Sequence, residues 1–388
     1  MKLISGRKIF RLFLIIWVIC SVFTLFKYAS YIDIFNWNPL IGMNQFENNH
    51  MADHSINIKT QKLTPPKNNL LLFVGINSAP SHNKRRAAGR DTWLKECKER
   101  SDVVCKYFTD GKDSHGNLIL GEEKVKLDHE SELHGDLVRT ETPGGFTFSV
   151  RLLWILQWAS DNYDFKYYLR LDDDYFICLN KLMFELSSEQ RPKRNFQWGW
   201  LHCRARDATM LDESFLLMSS DIVESFLRRK NTLNCLIWES QSIGYWLKNI
   251  SNLTTFSDNG RLIHLRSSSS NFKSDKDVKK RSEICHSVLG LHQSYPDQMR
   301  LYWSIYEKEV KFKKYAIPKV AYICKFKPNV NYMAWKNEEL WFSEPKPCKN
   351  NPTWRVAKEY LGRSNGKESV TKKKKQAGKK REQRIEQT

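Results

Sequence analysis

The stretch that decides the fold is YYLRLDDDYFICL, residues 167–179. Tyr167, Tyr168 and Leu169 lead in, and Tyr175, Phe176 and Ile177 lead out, a β-rich apolar pattern that reads as a buried strand. Between the two runs stand Asp172, Asp173 and Asp174. Adjacent like charges at the edge of a core destabilise it unless a cation compensates. Two readings follow. Asp is a good helix N-cap, so the triplet could be a polar turn before a helix. Alternatively it is a site for a hard divalent cation such as Mg²⁺ or Mn²⁺, whose preferred ligands are carboxylate oxygens. A loop at the carboxyl end of a sheet strand is where α/β proteins bind ligands.

Upstream of this strand the chain alternates. NLLLFVGINSAP (69–80) reads as a strand and loop, NKRRAAGRDTWLKEC (83–97) as a helix, and DVVCKYFTDG (102–111) as a second strand. HESELHGDLVRTETPGGF (129–146) is polar and reads as a loop; FSVRLLWILQWASDNY (148–163) has apolar residues at helical spacing. Strand, helix, strand, helix, strand predicts an α/β fold with a mostly parallel central sheet flanked by helices. Beyond Trp200, helices are expected at SSDIVESFLRRK (219–230) and ESQSIGYWLKN (239–249), and a mobile loop at 267–283.

The 388 residues, 41% hydrophobic and 13% aromatic, suffice for a sizeable core. A formal net charge of +20 first suggests nucleic acid or another polyanion. Part of that charge lies in TKKKKQAGKKREQR (371–384), which has no apolar periodicity and reads as a disordered tail. At the other end, Lys2, Arg7, Lys8 and Arg11 precede an apolar run from Leu12 to Phe26. Extended over 9–31 it is long enough to span a bilayer, and the preceding positive charge predicts a cytoplasmic N-terminus. A cleaved signal peptide is the other reading, but no small-residue cleavage pattern follows. The expected order is therefore a cytoplasmic tail (1–8), a signal-anchor transmembrane helix (9–31), a stem (32–67), a lumenal domain (68–345) and a basic tail (346–388).

Two sequons, Asn249-Ile-Ser and Asn252-Leu-Thr, agree with a lumenal location. So do the cysteines: of nine, Cys20 lies in the span, and the other eight allow up to four disulfides in an oxidising compartment. No CxxC pair is present, which argues against a zinc site.

With these residues placed, the chain resembles the β-1,3-galactosyltransferase / β-1,3-N-acetylglucosaminyltransferase family over about residues 69–303. The motifs are RRAAGRDTW (85–93), HESELHGDLV (129–138) with Glu130 and Asp136, and SVRLLWILQW (149–158), where Arg151 takes a lysine position. LRLDDDYF (169–176) and CHSVLGLHQSYPDQM (285–299), with Cys285, His292, Pro296 and Met299, complete them. The resemblance implies a GT-A-like nucleotide-sugar-binding fold and a type II Golgi membrane protein with a lumenal catalytic domain. It also implies a UDP-sugar donor, a glycan acceptor on protein or lipid, and Mn²⁺ as cofactor. No nucleic-acid partner is implied. Asp174 and His292 are then the metal ligands, and Asp172, Asp173, Arg90 and Arg151 hold the donor, with Arg86 a weaker candidate. The implied reaction is an inverting transfer of galactose or N-acetylglucosamine.

Two departures from the family pattern matter. In WESQSIGYW (238–246) Glu239 and Gly244 match, but Ser240 stands where the family has the aspartate that acts as base. That leaves Glu239, with a longer reach, as the candidate catalytic base. Asp212, Glu213 and Ser214 replace a glycine-rich stretch, and either carboxylate could serve from that side or simply be exposed. The Ser240 departure also suggests an alternative, an inactive UDP-sugar- or glycan-binding protein. Trp198 and Trp200 read as core residues before sugar-stacking ones.

Overall fold

The computed structural model describes residues 69–204, 208–265, 284–308, 315–325, 329–330 and 344–354. The expected cytoplasmic tail, anchor and stem, most of the basic tail, and the expected loop at 267–283 lie outside them. Among the described residues no helix is long and apolar enough to cross a membrane.

In chain order the elements are β1 (Asn69–Asn77), α1 (Asn83–Arg90), α2 (Leu94–Lys98), β2 (Val103–Asp110), α3 (Gly121–His134), β3 (Leu137–Thr140), α4 (Phe148–Asn162) and β4 (Asp164–Asp172). Then come β5 (Tyr175–Ile177), α5 (Leu179–Ser187), β6 (Phe196–Arg204), β7 (Ala208–Ser219), α6 (Ser220–Arg228), β8 (Asn234–Cys235) and α7 (Glu239–Trp246). The rest are β9 (Thr254–Ser257), β10 (Leu262–His264), α8 (Ile284–Ser287), β11 (Gly290–His292), α9 (Pro296–Tyr306), β12 (Asn329–Val330) and β13 (Lys346–Pro347).

The central sheet runs β3-β2-β1-β4-β7-β6-β9, with β12 added to β7. The first four strands are parallel, as the strand–helix alternation requires. β7 is antiparallel to both β4 and β6, so the sheet is mixed, and its parallel half is the part legible from sequence. Side chains alternate across it: Leu72, Val74 and Ile76 of β1 enter one core, and Phe73 enters the other. Each fully buried aliphatic or aromatic residue contributes about 1.5–3 kcal/mol.

Of the segment expected to be a loop, 129–146, residues 141–146 are irregular; what precedes them is the end of α3 followed by β3. The reason is visible in α3. Only Leu127 of that helix is buried, so it carries almost no apolar stripe. It is supported instead by the i,i+4 ion pairs Lys124–Asp128 and Glu122–Lys126. Gly135 ends it in the left-handed conformation, φ 64°.

Eight cysteines close four disulfides: Cys97–Cys105, Cys178–Cys285, Cys203–Cys324 and Cys235–Cys348. Trp198 is fully buried, as expected of a core residue.

Candidate active site

The acidic triplet marks the point where the chain leaves one sheet and enters another. Asp172 ends β4, Asp173 and Asp174 turn, and β5 pairs into a separate sheet of order β10-β11-β5. It does not cap a helix; Cys178 stands before α5. The turn lies at the carboxyl end of the parallel strands, where Asn77 of β1 is in register with Asp172.

The second sheet delivers the imidazoles. β11 is antiparallel to β5, which sets His292 opposite Tyr175. β10 is parallel to β11, which sets His264 beside His292. The Tyr175 and His292 rings stack at 5.7 Å. Tyr175 also lies across Gly290, where an added Cβ would come within 2.3 Å of the ring, so only glycine fits. The Cys178–Cys285 bond ties the segment carrying His292 to the end of β5.

His292 Nε2 is 3.4 Å from Asp174 Oδ1 and 3.7 Å from Asp172 Oδ2. The ligand atoms of the three residues lie within 4.8 Å of one another. Two carboxylates and one imidazole at that spacing suit an octahedral divalent ion of about 2.1–2.3 Å bond length, which leaves positions for other oxygen ligands. Burial pushes Asp172 up to about 6; Arg170 opposes that shift and the Asp174 charge adds to it. Burial also acts on Asp174, but His292, Arg85 and His82 bring it below the usual carboxylate range. Burial lowers His292, yet the carboxylates of Asp174, Asp172 and Asp212 raise it to about 9. The imidazolium and the carboxylates balance one another here, and a bound cation would have to displace the His292 proton.

Asp173 points elsewhere. Its buried carboxylate accepts from Ser78 Oγ at 2.7 Å and Arg85 Nη1 at 2.9 Å, and lies 2.8 Å from His82 Nδ1. It fastens the β1–α1 connection to the acidic turn, while Asp172 joins the metal-ligand group. Arg85 also faces Asp174 at 3.4 Å and stacks over Tyr295 at 4.9 Å.

The two arginines expected at the donor are engaged elsewhere. Arg90 donates to Asp136 at 2.7 and 2.9 Å and to Glu130 at 2.7 Å. Arg86 is fully buried and bonds Glu130, Ser78 and the carbonyls of Ala79 and Pro80. Arg151 donates to the Gly145 carbonyl at 2.9 Å and pairs with Asp110 at 3.2 Å. Among the described contacts none of the three reaches Asp172, Asp174 or His292. The family-like segments at 85–93 and 129–138 therefore meet as one buried ion-pair network.

Glu239, the expected base, begins α7 and is 1% exposed. Its Oε1 accepts from Asn77 Nδ2 at 2.8 Å, and its Oε2 pairs with Arg170 Nε at 2.5 Å. Both oxygens thus face partners in the interior, Oε1 through a hydrogen bond and Oε2 through the ion pair alone. Arg170 in turn donates to Asp172 at 2.6 Å, so Asn77, Glu239, Arg170 and Asp172 form a chain from the core to the turn.

On the far side of the imidazoles, Asp212 pairs with His202 at 2.8 Å and accepts from Ser214 N–H at 2.9 Å. Asp212, His264 and His292 also lie within 4.8 Å of one another, but Asp212 is already satisfied by these partners. Burial lowers His264 to about 4, so its imidazole is neutral. Its Nδ1 is 2.9 Å from His292 Nδ1, an arrangement in which His292 donates and His264 accepts. That bond directs His292 Nε2 toward Asp172 and Asp174. Trp200 is half-buried between His202 and His264.

Residues 84–212 match the family model described as Galactosyltransferase. Mouse beta-1,3-galactosyltransferase 6 is 28% identical over 203 residues, which cover 47% of this chain and 61% of that protein. Probable beta-1,3-galactosyltransferase 1 of Arabidopsis thaliana is 29% identical over 135 residues, 33% of this chain and 34% of that protein. The matched region thus spans less than two thirds of these relatives. Solved structures similar to the chain include a glycosyltransferase involved in the glycosylation of the major capsid of PBCV-1. It is 11% identical with a TM-score of 0.37, over 60% of this chain and 98% of that one. By this match and these relatives, residues 84–212, about a third of the chain, are similar to the galactosyltransferase family.

Proposed function

We propose that this chain transfers a hexose, galactose or N-acetylglucosamine, from a UDP-sugar to a glycan hydroxyl, forming a β-1,3 linkage with inversion. The observation that carries this reading is the convergence of Asp172 and Asp174, at the carboxyl ends of the parallel strands and inside the stretch that matches the galactosyltransferase model, with His292 from the second sheet. The fold is read as GT-A-like. Mn²⁺ is the proposed cofactor, held by these three residues, and it would stabilise the departing diphosphate. Arg85 and Arg170 set the charge around the turn; Glu239 fixes Arg170. A phosphate-binding role for Arg90 or Arg151 would require them to leave their present partners.

Four disulfides and two exposed sequon asparagines support a lumenal domain. With the apolar segment at 9–31 they support a type II Golgi membrane protein.

Ser240 favours one second reading, a protein that binds UDP-sugar without turnover. Both readings are tested by following UDP release from UDP-galactose, UDP-N-acetylglucosamine and UDP-N-acetylgalactosamine over a panel of acceptor sugars, with Mn²⁺ and with EDTA. Acceptor-dependent, EDTA-sensitive release supports the transferase; binding without release across the panel supports the second reading.

A further inference from the structure

We propose that Glu213 is the general base of the transfer, taking the place of the family carboxylate that Ser240 has replaced. The proposal rests on the transferase reading above.

Three carboxylates stand near the position of the missing base, and their surroundings separate them. Glu239 is buried, with both oxygens held by Asn77 and Arg170. Asp212 is occupied by His202 and the Ser214 N–H. Glu213 is half-buried, and among the described contacts its carboxylate is engaged through Oε2 alone, by the Ser240 N–H at 3.1 Å. The carboxylate missing at residue 240 is therefore replaced, against that residue's own backbone, by one from β7. Glu213 is also tied to the metal-ligand group. Its main-chain oxygen accepts from Arg170 Nη1, which donates to Asp172 at 2.6 Å. One guanidinium thus fixes both the cation side and the base side of the site.

The chemistry balances with this residue. Glu213 accepts the proton of the acceptor hydroxyl as that oxygen bonds to the anomeric carbon. The bond from that carbon to the diphosphate breaks, and its electron pair leaves with the nucleoside diphosphate. The proton on Glu213 then passes to water. Burial pushes the Glu213 carboxyl up to about 7, and Asp212 adds to that against Arg170 and the Ser240 N–H, with Glu239 a smaller push. A carboxylate so placed is a stronger base than an exposed one.

The test uses the full chain in detergent with UDP-galactose, Mn²⁺, and aryl β-galactoside and aryl β-N-acetylglucosaminide as acceptors. Glu213→Gln preserves shape, and its amide oxygen can still accept from Ser240. We expect kcat to fall about 10²–10⁴-fold, with UDP-galactose affinity by calorimetry within about twofold of wild type. The double variant Glu213→Gln with Ser240→Asp returns a carboxylate to the family position, and transfer should recover at least about tenfold over Glu213→Gln. Recovery is an outcome that a merely structural role for Glu213 would not produce. Wild-type kcat in Glu213→Gln would overturn the base assignment and leave the transferase reading intact. Loss of donor affinity in Glu213→Gln, with no recovery in the double variant, would overturn it too, as a structural effect. Absence of transfer by the wild-type chain, with donor bound, would remove both.

Discussion

Arg170 Nε lies 2.5 Å from Glu239 Oε2 in the interior of the domain, and the same guanidinium reaches Asp172 at the acidic turn. Two carboxylates on different elements, the end of β4 and the start of α7, share one buried cation. Removing that cation leaves two unpaired charges. We predict that Arg170→Met destabilises the domain by about 3–5 kcal/mol, the cost of breaking a buried pair from one side. Urea unfolding at pH 7 measures it; a loss below about 1 kcal/mol would show the pair to be dispensable.

Glu130 gathers Arg86 and Arg90 in the same way. Burial would raise its pKa, but bonds to the two arginines win and hold it below its ordinary value of 4.5. A depressed carboxylate adds stability that is fully present above the unfolded-state pKa and is lost as pH falls through the folded one. Glu130→Gln should therefore destabilise by about 3 kcal/mol at pH 7. The gap between variant and wild type should close as pH drops below about 4.5. Urea midpoints of both proteins at pH 7 and pH 3.5 check this; a gap that widens at acid pH would contradict it.

Cys178 and Cys285 close a segment 107 residues apart in sequence, and the bond anchors the strand that carries His292. Loop-closure entropy assigns such a bond about 4–5 kcal/mol. Changing both cysteines to serine should cost stability of that order. It should also weaken Mn²⁺ binding, because β11 loses its tether to the acidic turn. Calorimetric titration of Mn²⁺ on the variant reads the second effect; unchanged affinity would mean that the β5–β11 pairing suffices alone.

The basic run at the C-terminus (371–384) lies outside the described residues. Deleting residues 370–388 should leave turnover on a small aryl glycoside within about twofold of wild type, and the salt dependence of that reaction should not change. A loss of turnover with an unchanged unfolding midpoint would place the tail in acceptor recognition.

Much of this was legible in the chain. The strands β1, β2 and β4 and helices α1 and α4 follow from apolar period and turn residues, and YYLRLDDDYF locates the turn. Asp174 and His292, 118 positions apart, were paired only by the family resemblance, and the β5–β11 register brings them together. The antiparallel half was not legible, because long-range strand pairing leaves no local period. α3 was missed because its support is charge pairing, not an apolar face. Among site residues, Arg170 did carry a signal: a cation inside the apolar run YYLRL, two positions before Asp172 and so on its face. Arg85 did not, since three arginines in RRAAGR look alike until the helix is placed. For Glu239, the sequence places it in its motif, but its partners Asn77 and Arg170 are visible only in the fold.

The most direct measurement is transfer by Asp174→Asn beside wild type, with Mn²⁺ binding measured on the same samples. We expect acceptor-dependent UDP release by wild type that EDTA abolishes. In Asp174→Asn, release should fall at least about 100-fold and Mn²⁺ affinity more than the roughly 10–100-fold that loss of an outer partner costs. Wild-type release by Asp174→Asn, or release by the wild-type chain that survives EDTA, would contradict this expectation.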